Sequence, residues 1–173
     1  GRVMREKGIE EYLEAAYALK KEYSNIYFHV YGFCEEAYED RLKKLQEQGV
    51  IQYHGMVKDM AEVFETINCS VLPSYHEGMA NSLLEAAASG RPVIASNITG
   101  CRETFDEGVS GFGFQVKDSR ALIGALRKFL SLTTEERQQM GLAGRKKVET
   151  EFDRNIVING YINEIEHISK GVK

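Results

Sequence analysis

The stretch "HEGMANSLLEA", residues 76–86, carries two carboxylates in an unusual setting. Glu85 stands between Leu83-Leu84 and Ala86-Ala87-Ala88, in a run that reads as a helix burying its apolar side. Glu77 stands earlier, just before Gly78 at the expected helix start. Gly78 lets the chain turn sharply after Pro73 and lets a ligand approach the main chain closely. The N–H groups of Met79, Ala80, Asn81 and Ser82 are expected to point out of that helix start without partners. With the helix dipole behind them, they form a site suited to phosphate.

Glu77 and Glu85 are anions and cannot neutralise a phosphate. Carboxylates beside one make chemical sense as acceptors for hydroxyl groups, which sugars and ribose provide. A ligand with phosphate in the middle and hydroxyl-rich groups at both ends is a nucleotide sugar. Arg2 and Lys7 flank the turn "GRVMREKG", where a guanidinium and an ammonium are placed to hold a diphosphate and stabilise it as it leaves. Each of these residues also has a plainer reading. Glu85 could pair with Arg91 or Arg102, Glu77 could complement the helix dipole, and Arg2 and Lys7 could be solvated surface charges. His76 is assigned no role, because adjacent residues rarely face the same way. His54 reads as a turn residue or a neighbour of a base-binding loop, and His29 as a strand residue. "GVSGFGF" has its glycines in the wrong order for a dinucleotide fingerprint and leads into a strand rather than out of one.

The elements that must position these groups alternate in type. Residues 9–23 place Ile9, Tyr12, Leu13, Ala16 and Leu19 at helical spacing, and "NIYFHVYG" is a β-branched and aromatic run ending at Gly32. A helix over 35–48, a strand "VIQYHG", a helix over 59–67 and a strand "CSVLP" follow. Next come the quoted helix, a strand "PVIAS", a short helix near "CRETFDEG", and "GFGFQV" as a turn entering a strand. Helices over 118–130, 133–149 and 153–168 close the chain, the last two forming a polar helical tail. Repeated β-then-α order with buried-looking strands gives an α/β, Rossmann-like, doubly wound parallel sheet with helices on both faces. The whole of 1–173 reads as a single domain, with room for a first strand ahead of Gly1. In such a sheet ligands bind at the carboxyl ends of the strands, so each strand-to-helix turn is a candidate site wall.

Composition narrows the classes. Of 173 residues, 43% are hydrophobic and 28% charged, the balance of an ordinary globular protein, and the net charge of -4 argues against nucleic acid as a partner. No apolar run reaches membrane-spanning length and no secretory pattern opens the chain. Cys34, Cys69 and Cys101 are scattered and odd in number, which suits a reducing cytoplasm better than a disulfide framework.

The run "PSYHEGMANSLLEAAASGRPVIAS…TGCRE", together with "GRVMREKG", resembles the C-terminal, donor-binding half of the family 4 retaining glycosyltransferases of GT-B fold. Its variants look most like bacterial members that assemble polysaccharide. The resemblance implies that Glu77 contacts the transferred sugar and Glu85 the ribose. It implies that backbone amides from Gly78 to Ser82 hold the phosphates, and that Arg2 and Lys7 grip the diphosphate. Met56, Val57 and Lys58 would line the nucleobase, with a UDP-sugar as the expected donor. No cofactor and no metal is expected. The acceptor, a glycan or polyprenyl-linked chain, would bind an N-terminal domain not present here, at the inner membrane face. The alternatives are a sugar-nucleotide epimerase or phosphorylase of the same architecture, and a non-catalytic nucleotide-binding or interaction module.

Overall fold

Leu13, Ala16 and Leu19 are buried along one side of α1 (Ile9–Glu22), as their spacing requires, and the helix stops where Tyr23 N–H donates to the Leu19 carbonyl at 2.9 Å. A short 3-10 turn, Arg5–Lys7, precedes it. Described by a computed structural model over residues 1–171, the chain continues as β1 (His29–Val30), α2 (Glu39–Glu47), β2 (Gln52–Tyr53), α3 (Met60–Thr66) and β3 (Ser70–Leu72). Then come α4 (Asn81–Ala88), β4 (Val93–Ser96), α5 (Thr99–Arg102), β5 (Gly111–Phe114), α6 (Ser119–Ser131), α7 (Thr134–Glu151) and α8 (Arg154–Gly171).

All strand pairs are parallel, in two groups: β1 with β2, and β3–β4–β5 in that order. Alternation along β4 sends Ile94 into a cluster with α1, Val30, Phe114 and α6, and sends Val93 and Ala95 into a second with Phe64, Leu83, Ala86, Cys101 and Phe105. Helices therefore cover both faces, as a buried parallel sheet demands. Side chains cap the crossovers: Asp59 accepts from Ala61 N–H, Asp118 from Ala121 N–H, and Thr133 and Glu136 form a reciprocal capping box.

Three expected elements change. The helix of 35–48 begins only at Glu39, because Glu35 is used in a loop bond, its N–H donating to the Val3 carbonyl at 3.1 Å. The helix near "CRETFDEG" is instead Thr99–Arg102. Gly108, at φ 72, and the Ser110 hydroxyl, which accepts from Asp106 N–H, turn residues 106–111 back toward the sheet. "GFGF" is the strand itself, held in register with all of β4. Of the tail, α7 packs on α4 so closely that a Cβ at Gly141 would stand 2.0 Å from the Gly90 carbonyl oxygen. Along α8, by contrast, the side chains through Ser169 are exposed.

Candidate functional site

Lys7 and Glu77, far apart in sequence, meet in an ion pair of 2.7 Å with side chains 26% and 16% exposed. Two glycines make that meeting possible. Gly8, at φ 70, ends the Lys7 turn, and a Cβ there would lie 2.1 Å from the Pro73 carbonyl oxygen. On the opposite side, a Cβ at Gly100 would lie 2.3 Å from the Glu77 carbonyl oxygen and 2.7 Å from that of Gly78. The loop from Pro73 to Ala80 is thus seated between two backbones that approach it without side chains. Tyr75 fastens it further. Its N–H donates to the Glu6 carbonyl at 2.8 Å and its hydroxyl to the buried Glu11 carboxylate at 2.7 Å. The Lys117 ammonium lies over its ring at 4.7 Å. Burial, then the Glu11 carboxylate, pushes the Tyr75 hydroxyl up to about 12, so it remains a donor at neutral pH.

Glu85 is exposed, one helical turn beyond Asn81 and Ser82, which are exposed with it, while Leu83, Ala86 and Ala87 are buried. Neither Arg91 nor Arg102 forms an ion pair with Glu85 among the described residues; the Arg91 Nη2 instead donates to the Glu65 carbonyl at 3.4 Å. The Gly1 amine is held below its ordinary value by burial first and by Lys7, with Glu85 and Glu77 opposing. Lys7, Glu77 and Glu85 therefore all lie within electrostatic reach of the Gly1 amine. Burial raises the Cys101 thiol beneath them to about 12, with Glu77 adding to the effect.

The expected row of four unpartnered amides is only partly present. Ala80 N–H donates to the Gly100 carbonyl at 3.0 Å and Asn81 N–H to the Met79 carbonyl at 3.0 Å. The reason is the helix start: α4 begins at Asn81 with Ala80 as its cap, so the loop and α5 take those two donors. Met79 and Ser82 are exposed, and open space surrounds the Cβ position of Gly78. Arg2 is turned to the loop between β1 and α2, where its Nη1 donates to Glu35 at 2.8 and 3.0 Å. Met56 and Lys58 are exposed and Val57 half-buried, beyond Gly55, whose carbonyl accepts from Gly32 N–H at 2.7 Å.

Beside them lies an aromatic stack that sequence reading did not assemble. His54 stacks on Tyr31 with centroids 4.4 Å apart, and its Nε2 lies 3.0 Å from His29 Nδ1. Burial, then the neighbouring His54, holds the His29 imidazole below its ordinary value. Alternation along adjacent strands was the available signal for this stack. Gly100 and the Tyr75–Glu11 pair gave no comparable signal, because their partners are distant in sequence. Among the described residues no group of three or more His, Cys, Asp or Glu side chains is placed to hold a metal ion.

A carboxylate–ammonium pair stands at the carboxyl edge of a parallel sheet, flanked by an exposed helix start, on the edge where such sheets bind ligands. Residues 1–147 match the family model of the glycosyl transferases group 1, and the chain belongs to that family. It is 27% identical over 172 residues to the N,N'-diacetylbacillosaminyl-diphospho-undecaprenol alpha-1,3-N-acetylgalactosaminyltransferase of Campylobacter jejuni, covering 99% of this chain and 44% of that protein. The chain thus spans less than half the length of such relatives. A solved C-terminal domain of a group 1 family protein, LpcC of Francisella tularensis, superposes with a TM-score of 0.76 at 25% identity, covering 88% of this chain and 83% of that one. The Anabaena protein HepE, solved with UDP and glucose, gives a TM-score of 0.80 at 20% identity over 96% of this chain and 46% of that one. The fold is that of the C-terminal half of GT-B proteins.

Proposed function

We propose that this chain is the donor-binding domain of a retaining glycosyltransferase that moves a sugar from a UDP-sugar to a glycan or polyprenyl-linked acceptor. The Lys7–Glu77 pair, set beside the exposed face of α4 that carries Ser82 and Glu85, is the observation that carries this reading. Glu85 accepts hydrogen bonds from the ribose hydroxyls. The Met79 and Ser82 end of the loop meets the diphosphate through main chain. Glu77 accepts from hydroxyls of the transferred sugar, held in position by Lys7.

Departure of the sugar builds negative charge on the diphosphate, and the Lys7 ammonium stands where it stabilises that charge. Arg2 joins it by leaving Glu35, a half-exposed pair whose loss costs about 0–1 kcal/mol. The leaving phosphate takes the proton of the acceptor hydroxyl, so the new bond forms on the face from which the nucleotide departs. The nucleobase lies along Met56, Val57 and Lys58. The UDP held by HepE and the polyprenyl-linked sugar in the Campylobacter relative's name support the donor and acceptor classes. The acceptor is bound by an N-terminal domain outside this chain.

Calorimetric titration with UDP, GDP and ADP, with Glu85→Ala as control, tests the reading. Binding of UDP that is lost in the control supports it. Binding of none of the three overturns the donor-site assignment for this chain.

A further inference from the structure

Tyr75 is gripped by three elements of the fold: the Arg5–Lys7 turn, α1 and the turn from β5 to α6. Its N–H is fixed on Glu6, next to Lys7, and Glu77 follows it two residues on, so Tyr75 joins the two backbones that carry the ion pair. Its hydroxyl ends on the carboxylate of Glu11, in the first turn of α1 and only 9% exposed. A neutral hydroxyl does not offset a buried carboxylate. Among the described residues Glu11 Oε2 has no hydrogen-bond partner, and no ammonium or guanidinium forms an ion pair with Glu11. Arg5, an exposed residue, stands beside the Tyr75 hydroxyl.

Lys117 adds a second strain. It lies between β5 and α6 at φ 60, a left-handed backbone that favours glycine, and it brings its ammonium over the Tyr75 ring. A buried polar pair kept for stability alone is served as well or better by two apolar side chains of similar volume. A half-met carboxylate and a strained backbone that converge on one ring point to a side chain that must be held in place. We propose that Tyr75 is a positioning residue, which with Glu11 sets where the Glu77 carboxylate stands and so the affinity for the donor's sugar rather than for its nucleotide. The inference rests on the donor-site reading, in which Glu77 accepts from sugar hydroxyls. Such bonds weaken steeply with distance and angle, so a small displacement of the loop loses them. Ser82 and Glu85 stand on α4 itself and keep their places when Tyr75 is released.

Calorimetry with UDP, UDP-glucose and UDP-N-acetylglucosamine, accompanied by urea unfolding, tests the role. The proteins are the unaltered chain, the paired variant Tyr75→Phe with Glu11→Leu, Glu11→Gln, and Glu77→Ala with and without the paired change. The paired variant is expected to keep or raise its urea midpoint and to bind UDP within about twofold of the unaltered chain. It should bind the preferred sugar nucleotide at least about fivefold more weakly. Glu11→Gln keeps an oxygen acceptor for the hydroxyl and should retain that affinity. In Glu77→Ala the paired change should weaken sugar-nucleotide binding no further, because Tyr75 acts through Glu77. The positioning role is overturned if the paired variant keeps its sugar-nucleotide affinity, or if it loses UDP equally. It is also overturned if Glu11→Gln loses as much, or if the loss persists in Glu77→Ala. An unaltered chain that fails to bind UDP, or binds all three ligands equally, overturns instead the donor-site reading beneath it.

Discussion

Glu77 and Glu85 lie on one short stretch but in opposite electrostatic situations. Glu77 is mostly buried and paired, so Glu77→Ala strands the Lys7 ammonium; a loss of about 1.5–3 kcal/mol is expected in urea unfolding. Glu85 is exposed, so Glu85→Ala should leave stability within about 0.5 kcal/mol while weakening UDP binding by about 1.5–3 kcal/mol in calorimetry. If Glu85→Ala destabilised the fold and spared UDP, the assignment of Glu85 to ribose would fail. His29 gives a pH dependence with a definite sign. Its folded-state value lies below the ordinary 6.5, so the folded chain resists its protonation. That penalty is absent above pH 6.5 and grows as pH falls through it toward the lower folded value. NMR titration should show the His29 value rising in His54→Ala, because a neighbour that lowers it is gone. The positions of Glu77 and Glu85 around the start of α4 were legible in the sequence, while the roles expected of them came from the resemblance. The destinations of Arg2 and of the Ala80 amide were not, because they depend on Glu35 and Gly100, which other turns supply.

Order and type of the elements follow from local pattern, and their lengths do not. The helical spacing of Leu13, Ala16 and Leu19 and the short run "SVL" ended by Pro73 are properties of a few neighbouring residues. "NIYFHVYG" has the composition of a long strand, yet only His29 and Val30 join the ladder, since pairing depends on what lies alongside. The same distinction applies to Gly100. Nothing near it in sequence shows why it must be glycine, but its Cα is where the Glu77 and Gly78 carbonyls approach. Gly100→Ala puts a methyl against backbone oxygens that have no rotamer to change. It should cost about 1–3 kcal/mol in urea unfolding and disturb the Lys7–Glu77 pair. Gly78→Ala meets open space and serves as the control, with a change within about 0.5 kcal/mol. Equal effects of the two changes would show that the tight seating is not a constraint.

At the scale of the molecule, α6 closes the core over α1. Leu122 is fully buried among Ile94, Phe114 and the α1 side chains, and Leu122→Ala should cost about 2–5 kcal/mol by chemical unfolding. An exposed ion pair, Arg127 to Glu22 at 2.5 Å, joins the same two helices and holds the Glu22 carboxyl below its ordinary range, but water screens it. Among the described residues no helix is long and apolar enough to cross a membrane. The seating of the Pro73–Ala80 loop between Gly8 and Gly100 also fixes an order of events. Its two supports come from opposite sides in sequence, so neither is in place until β3 has found its neighbours. Helices such as α7 need only local contacts and form on the fast side of that step. A refolding chain should therefore regain helical signal before the Lys7–Glu77 pair closes, and ligand affinity should return with the slowest phase. Speed of folding is given up where the loop must be rigid, because a seat made of distant backbone cannot be built early.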